Sequence, residues 1–324
     1  RNPPPSDPSI FSEPPRNSLD ALDEEVLASL PAAVGRPPRG LWATTRAQAL
    51  ARLEHFLDHE LERFGRYEDA MTSRSWSLAH SMLSPYLNLG LLLPGEVCDA
   101  VEARYRAGDV PINSAEGFIR QVIGWREYVW GLYWLWPDMV RSNELDHRRP
   151  VPPAFTGDAT TGMRCLGDVL DGLDGRAWVH HIPRLMVLSN LSNLMGLEPQ
   201  AVMAWMSDRY IDAAEWVMVP NVMGMGLWAD GGRMASKPYV SGGAYIDRMS
   251  DYCGSCPYDP RKRTGEDACP FTTLYWDFLA RHEDDLRGNH RMSRPLAGMR
   301  RLADLPAVRE RAREVIAGLE DGTV

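Results

Sequence analysis

The strongest constraint on the fold is the segment from Trp205 to Cys256, which changes character twice along its length. Its first part has the composition of a helix and is predicted to end at Pro220, because proline interrupts the helical hydrogen-bond ladder. Residues 221–243 are rich in glycine and methionine, a composition that disfavours a long regular element. The last part carries Cys253 and Cys256 at Cys-x-x-Cys spacing. The segment therefore predicts a helix, a loop able to lie close to a ligand, and a metal site in succession.

The overall charge and the cysteine content restrict the function classes. The chain has 324 residues and a formal net charge of −9, which argues against a globally basic nucleic-acid binder but leaves a local arginine face possible. No run approaches 18 apolar residues, so we expect no membrane span. Five cysteines without a signal peptide indicate a reducing compartment and metal binding rather than disulfides. We expect a cytoplasmic monomer.

The pattern along the chain predicts an all-α fold, because no stretch alternates apolar and polar residues over six or more positions. Residues 1–40 are proline-rich and predict a linker with one short helix at residues 18–30, capped at Ser18 or Asp20. Residues 41–324 are predicted to form one helical domain. Within it, a helix is expected to end at Gly65, and an arginine-rich helix at residues 307–319 is expected in a polar tail.

Three local patterns each admit a structural and a functional interpretation. Ser81 and Ser84 lie in a hydroxyl-rich stretch that forms either a helical turn capped by Ser84 or a phosphate-binding loop. Gln121, Trp125 and Tyr128 share a helix face, which is typical of core but leaves a buried amide in need of partners.

The third pattern is the pair His180 and His181, which precedes Pro183. Adjacent histidines do not share a helix face, so a common metal ion is disfavoured. They are either structural or exposed, or one of them faces a pocket as a catalytic acid.

The cysteine pattern predicts a four-thiolate site. Cys253 and Cys256 are followed by Cys269, and Cys165 lies far upstream. Such a set suits either an iron–sulfur cluster or zinc, and the absence of any metal stays open on spacing alone. Cys98 falls inside a helical pattern and is expected to be a buried, inert thiol.

Taken together, these segments resemble the bacterial iron–sulfur branch of the photolyase/cryptochrome family. The resemblance covers residues 65–280 in the family's order. Its motifs are HSMLSPYLNLGLL, FIRQVIGWREYVWG, HHIPRLMVLSN, EWVMVPNVMGM, ADGGRMASKPYVSGGAYI and CGSCPYDP with a later ACP.

The resemblance implies a helical FAD-binding domain with a 4Fe–4S cluster held by four thiolates. These ligands are Cys165, Cys253, Cys256 and Cys269. It implies that one loop lies at the flavin phosphates, formed by His80, Ser81, Leu83 and Ser84. It places two residues beside the flavin and the lesion, Phe118 and Gln121. The residues that wrap the flavin ring and ribose are Asn221, Asp230 and Gly231.

The resemblance also implies the residues that meet a damaged base. The lesion pocket of members that repair the pyrimidine (6-4) photoproduct corresponds to His180, His181 and Tyr239, with His181 as the proton donor. Trp125 matches a ring that stacks on the flipped-out base. Gln121, Arg184 and Lys237 are expected to bind the DNA substrate, and Trp205 is expected to take part in electron transfer.

Two features depart from the family pattern. Nothing before the first motif reads as a βαβ unit, so we expect the N-terminal α/β antenna domain to be absent and no antenna chromophore on this chain. In addition, Met218 stands where well-known members carry a glutamate facing flavin N5. A thioether cannot accept a charge-assisted hydrogen bond from an N–H group.

The predicted function is DNA photolyase activity on UV-damaged DNA, with reduced FAD passing an electron to a flipped-out (6-4) photoproduct. Damaged bases are the least costly to extrude from a duplex. A cryptochrome-like blue-light photoreceptor with the same FAD and cluster is the alternative. A zinc-stabilised helical interaction domain is the third possibility, and a colourless protein would indicate it.

Overall fold

The structure is a computed structural model, and it describes residues 2–31, 33–37 and 40–324. Within these ranges the chain forms helices and no β-strand, and the extended pairings are two isolated bridges, Arg149 with Leu197 and Asp259 with Ala268. The all-α prediction is therefore confirmed. None of the described helices is both long and apolar enough to cross a membrane.

The α-helices are numbered here in chain order. They are α1 (Ala21–Ser29), α2 (Arg46–His59), α3 (Leu61–Tyr67), α4 (Ser84–Asn88), α5 (Pro94–Ala107), α6 (Ile112–Ile119), α7 (Arg126–Leu135), α8 (Pro153–Thr156), α9 (Arg164–Arg176), α10 (His181–Pro183), α11 (Asn190–Met195), α12 (Pro199–Arg209), α13 (Glu215–Val219), α14 (Gly243–Met249), α15 (Pro270–Arg281), α16 (Glu283–Leu286), α17 (Ser293–Met299) and α18 (Leu305–Glu320). Three π-helical segments interrupt or extend this series, namely π1 (Arg120–Trp125), π2 (Arg184–Ser189) and π3 (Pro220–Gly226).

The chain divides into two compact units. Unit 1 comprises Arg1–Tyr128, Asp171–His180 and Arg209–Ala214, and unit 2 comprises Val129–Leu170, His181–Asp208 and Glu215–Val324. Each predicted site residue belongs to one of these two units.

An aromatic cluster forms the centre of unit 1. The ring of Phe118 lies 4.7 Å from that of Phe56 and 5.3 Å from that of Phe64, and such pairs contribute about 0.5–1.5 kcal/mol each beyond burial. Gly65 lies inside α3, so the prediction that it ends the helix was wrong. The reason is close packing, because a Cβ at Gly65 would approach the Asn113 backbone oxygen to 2.5 Å.

The proline-rich N-terminus packs onto unit 1. Its short helix spans Ala21–Ser29 and is capped by Asp20, one of the two predicted caps, and the side chains of Asp20 and Asp23 cap each other's backbone N–H. Residues 2–17, here called the N-terminal strap, make specific contacts. The Phe11 ring lies 5.5 Å from that of Tyr67, and the Ser12 N–H donates to Glu60 Oε1 at 2.6 Å.

Helix α15 is the central element of unit 2, because α11, α14, α17 and α18 all pack against it. The predicted arginine-rich C-terminal helix exists, but it is not part of a polar tail. It buries an apolar face made of Val308, Ala312, Val315, Ile316 and Leu319. The helix pattern was recognised correctly, and its packing partner lies too far away in sequence to be recognised from a local pattern.

The helix that precedes the glycine-rich segment does not end at Pro220, contrary to prediction. It continues as π3 through Gly226. Proline removes one backbone donor and its ring crowds the preceding turn. A wider π turn accommodates both changes, and the chain then runs without regular structure from residue 227 to 242.

Candidate functional site

In unit 1, a buried carboxylate organises the loop at residues 77–84. Ser84 Oγ donates to Asp212 Oδ2 at 2.6 Å, and Asn88 Nδ2 donates to the Asp212 carbonyl at 2.9 Å. Ser84 is the first residue of α4 and makes no cap, so the interpretation of Ser84 as a helix cap was wrong. Asp212 was missed because nothing in its local sequence links it to a loop 128 residues upstream.

The backbone of this loop is strained. Leu78 and Met82 have φ values of 47° and 58°, a left-handed conformation that residues with a Cβ adopt at a cost. Both side chains are buried, which helps to hold the backbone in place. Such strain is concentrated at functional sites. The loop presents the half-buried His80 and Ser81 and buries Leu83.

Two of the predicted site residues stack on one another in unit 1. The rings of His80 and His180 lie 4.2 Å apart and are inclined by only 17°. Phe64 meets His80 edge-on at 5.9 Å and also touches Phe118. His180 is buried and His181, which belongs to unit 2, is exposed. The two histidine side chains therefore do not share one environment, as expected for adjacent residues.

The aromatic face in π1 and at the start of α7 is not core. Gln121 is exposed, Trp125 is half-buried and Tyr128 retains 42% of its accessible surface. The core interpretation is therefore wrong for this stripe. Trp125 and Tyr128 lie 5.7 Å apart, ring to ring, and form a partly open aromatic surface. The α-helical spacing was misleading because π1 changes the residues per turn.

In unit 2, Asp230 closes the glycine-rich loop. Its carboxylate accepts the Gly232 N–H at 3.0 Å and the Met234 N–H at 2.8 Å. Gly231 next to it is exposed, with a φ of 68° that favours glycine. Asn221 Nδ2 donates to the Val217 carbonyl at 2.8 Å within the same helical run. Met218 is buried.

The segment that carries Lys237 and Tyr239 is tied to the start of α11. Ser241 N–H donates to Asn190 Oδ1 at 3.1 Å, and Asn190 Nδ2 donates to the Ser241 carbonyl at 3.0 Å. Lys237, Tyr239 and Arg184 are all half-buried. Asn190, the last residue of the motif HHIPRLMVLSN, was not among the predicted site residues. Its position in that motif was the available signal.

Trp205 is buried in unit 2, and its orientation is fixed. Its indole N–H donates to the Phe155 carbonyl at 2.8 Å, and the two rings lie 4.7 Å apart. The structure thus places Trp205 in a well-ordered apolar contact.

Four thiols belong to one electrostatically coupled group in unit 2. Burial raises the pKa of Cys165 well above its usual value, and Cys269, Cys256 and Cys253 raise it further. Burial and Cys269 raise the pKa of Cys253 to about 12, and burial raises that of Cys269 to about 11. The described cysteines form no disulfide.

The structure separates Cys98 from the other cysteines. It lies in α5 of unit 1, where burial and the neighbouring Asp99 raise the pKa of its thiol. Across the described ranges, no set of three or more His, Cys, Asp or Glu side chains converges closely enough to hold a single metal ion.

Dense packing surrounds the thiol group. Gly243 admits no side chain, because a Cβ there would lie 2.8 Å from Cys269 Sγ. The buried Tyr252, next to Cys253, donates its hydroxyl to Asp168 Oδ2 of α9 at 3.0 Å, which ties this segment to the helix of Cys165. These contacts restrict the position of Cys269 and of the segment that carries Cys253.

The chain was compared with families, with curated proteins and with solved structures. No protein-family model matches the chain. It is 47% identical over 264 residues to the (6-4) photolyase of Agrobacterium fabrum, a match that covers 81% of this chain and 52% of that protein. The uncharacterised protein R855 of Acanthamoeba polyphaga mimivirus is 32% identical over 103 residues, which cover 32% of this chain and 76% of that protein.

The fold is similar to that of a bacterial class III photolyase from Agrobacterium tumefaciens. The TM-score is 0.54 at 19% identity, covering 87% of this chain and 57% of that structure. The chain spans about half the length of the first curated relative that it matches. The helical architecture and the similarity over 264 residues place this chain in the photolyase/cryptochrome family.

Proposed function

We propose that this chain is the helical FAD-binding part of a light-driven DNA photolyase that repairs the pyrimidine (6-4) photoproduct. The observation that carries the proposal is the 47% identity to a (6-4) photolyase over 81% of the chain. UV-damaged DNA is the proposed substrate.

FAD is the proposed cofactor, and its proposed contacts are His80, Ser81, Leu83, Ser84, Phe118, Gln121, Met218, Asn221, Asp230 and Gly231. The chain has buried polar groups suited to a polar ligand. Glu60 Oε2 in unit 1 and both amide atoms of Asn193 in unit 2 have no hydrogen-bond partner among the described residues. Buried polar atoms normally have one. When bound and reduced, FAD supplies the electron that the repair needs.

A 4Fe–4S cluster is the proposed metal group, with Cys165, Cys253, Cys256 and Cys269 as ligands. Each of these thiolates disfavours ionisation of the others, so the set needs a positive group to become ionised together. The four thiolates would hold the cluster, and the cluster would supply the positive charge that lets them ionise together.

The lesion is proposed to meet His180, His181 and Tyr239, with Trp125 stacking on the flipped-out base. Repair of a (6-4) lesion returns an oxygen or amino group from one base to the other, so a proton donor is required besides an electron. Histidine titrates near neutral pH and suits this step. His181 is exposed, which gives it access to a substrate, while the buried His180 is held by its stack on His80.

The decisive experiment is single-turnover repair of a (6-4) oligonucleotide under blue light. His181→Ala should retain flavin and bind damaged DNA, but lose repair by about 10²–10⁴-fold, the range for a removed acid–base group. His290→Ala, a change at an exposed histidine near the C-terminus, is the matched control and should repair normally.

Three outcomes would contradict the assignment. Normal repair by His181→Ala would exclude this residue as the donor, and loss of flavin from that variant would move it to the cofactor site. An unaltered lesion after full photoreduction of the wild type would favour the photoreceptor instead.

A further inference from the structure

A small polar cavity lies in unit 1 behind the loop that carries Ser81. Its volume is only about 10 Å³, and it is lined in part by Ser12, Arg52, His55, Glu60, His80 and Ser81. This is room for about one water-sized group, such as a single oxygen of a ligand bound at the loop, and not for a whole phosphate or a nucleoside. The strap forms one wall, because the Ser12 hydroxyl lies 3.1 Å from His55 Nε2.

Glu60 is a buried carboxyl in the wall of the cavity. It is only 3% exposed, and its Oε1 accepts the Ser12 N–H at 2.6 Å. Its Oε2 is buried and has no hydrogen-bond partner among the described residues. A buried carboxyl oxygen without a partner indicates a ligand or water that completes it. Burial raises the pKa of Glu60 to about 7, so near neutrality the group is partly an O–H donor.

The lining favours an anion. Serine hydroxyls and imidazoles can donate, and a neutral carboxyl adds another donor. A cationic ligand would meet the guanidinium of Arg52, whose donors are held by the carbonyls of Pro15 and Leu41 at 2.8 Å each. The charged or titratable groups near the Glu60 carboxyl are Arg52 and His55 of α2, Arg63 of α3 and His80 of the loop. Glu13 of the strap pairs with the Trp76 indole at 3.3 Å.

We propose that neutral Glu60 donates a hydrogen bond to a phosphate-type oxygen bound at the Ser81 loop, and that binding of this anion is linked to one proton. The inference rests on the proposed function in one respect, namely that the phosphate belongs to the diphosphate of FAD. A free tetrahedral anion has the same chemistry. Neutral carboxyl donors of this kind occur where burial keeps the acid protonated.

The linkage has a definite sign. Because ionised Glu60 would repel the anion, binding should weaken as pH rises above about 7, the pKa of Glu60. In the limit of one linked proton, the dissociation constant rises about tenfold per pH unit. Glu60→Gln keeps an N–H donor at every pH and should abolish this dependence.

The test is an equilibrium titration of the purified chain between pH 6 and pH 9 with three probes. FAD carries the diphosphate, riboflavin lacks it, and sulfate is a tetrahedral anion that does not titrate in this range. Wild-type affinity for FAD should fall with pH, whereas riboflavin affinity should not. Glu68→Gln is the matched control, since burial also raises the pKa of Glu68, a half-buried carboxyl that does not line the cavity.

The outcomes separate this inference from the proposed function. A wild-type slope that persists in Glu60→Gln, that appears with riboflavin, or that is absent altogether overturns the inference while FAD binding stands. Sulfate binding with a slope that depends on Glu60, but without FAD binding, keeps the anion site and overturns the flavin proposal. Should Glu60→Gln fail to fold, a wild-type affinity for FAD that does not fall with pH still overturns the inference.

Discussion

At the residue scale, the five cysteines differ in what surrounds them. Cys253 stands among three other thiols, whereas Cys98 lies in another unit beside Asp99. Cys253→Ala should therefore abolish recovery of iron-containing soluble protein, because it removes one of four proposed ligands and leaves a buried site open. Cys98→Ala is the control and should keep its iron. Iron and sulfide analysis of anaerobically purified variants measures this, and full iron content in Cys253→Ala would refute the ligand set.

A buried imidazole pair makes the stability of unit 2 depend on pH. His147 Nε2 lies 3.1 Å from His282 Nε2, and burial, followed by the positive charges of His282 and Arg281, lowers the pKa of His147 to about 3. A folded-state pKa below the unfolded value means that stability is present above about pH 6.5 and falls as pH drops toward 3. The slope from this residue approaches about 1.4 kcal/mol per pH unit.

His147→Gln tests this because glutamine does not titrate. Its free energy of unfolding, followed by urea denaturation from pH 7 to pH 4, should fall less steeply than that of the wild type. His290→Gln, at an exposed histidine, should reproduce the wild-type slope. Equal slopes for His147→Gln and the wild type would show that His147 is not the group responsible.

At the scale of elements, the contact between two π segments is tight. A Cβ at Gly226 of π3 would lie 2.8 Å from Ser189 Oγ and 3.0 Å from Ser189 Cβ of π2. Gly226→Ala should lower the free energy of unfolding by about 1–3 kcal/mol, as overpacking does. Gly131→Ala in α7 meets no atom within 4 Å and should instead stabilise by up to about 1 kcal/mol. Urea denaturation compares the two, and equal effects would contradict the tight contact.

The helices were largely predictable, while their ends and interruptions were not. A helix was predicted before Gly65, where α2 and α3 lie, and of the two predicted caps, Ser18 and Asp20, Asp20 caps α1. Gly65 and Pro220 were misjudged because glycine and proline were treated as helix ends. In the structure, Gly65 is needed for close packing against Asn113. Pro220 is accommodated by a π turn, in which the backbone N–H that proline lacks is not required.

The predicted site was recognised through motifs, so residues outside the motifs were missed. Asp212 acts on Ser84 across 128 positions, and Glu60 faces the cavity from the junction of α2 and α3. Neither carries a local signal, because a lone carboxylate in a helical pattern is normally solvated. Only the folded chain shows that both are buried.

At the scale of the whole molecule, a net charge of −9 means that DNA binding has to rely on local cations. Several candidates are already paired, since Arg149 meets Glu320 at 2.7 Å and Arg148 meets Asp146. Lys237 and Lys262 are the only lysines, and Lys262 pairs with Asp267. Lys237→Ala should reduce the slope of log affinity against log salt by about 1.

Lys262→Ala is the matched control for that measurement and should leave the salt slope of binding to a lesion-bearing duplex unchanged. Fluorescence anisotropy at several salt concentrations gives both slopes. A loss of slope in Lys262→Ala, or none in Lys237→Ala, would place the phosphate contacts elsewhere.

The three π segments have a consequence for descent. Each π turn spans one residue more than an α turn. A helix therefore gains such a turn by insertion of a residue and not by substitution. Gln121, Arg184 and Asn221 each stand at the first or second position of such a turn. An alignment that moves these extra residues out into loops shifts all three by one position and assigns their roles to the wrong neighbours. An alignment of this chain with its relatives therefore has to keep the extra residue inside each of the three helices.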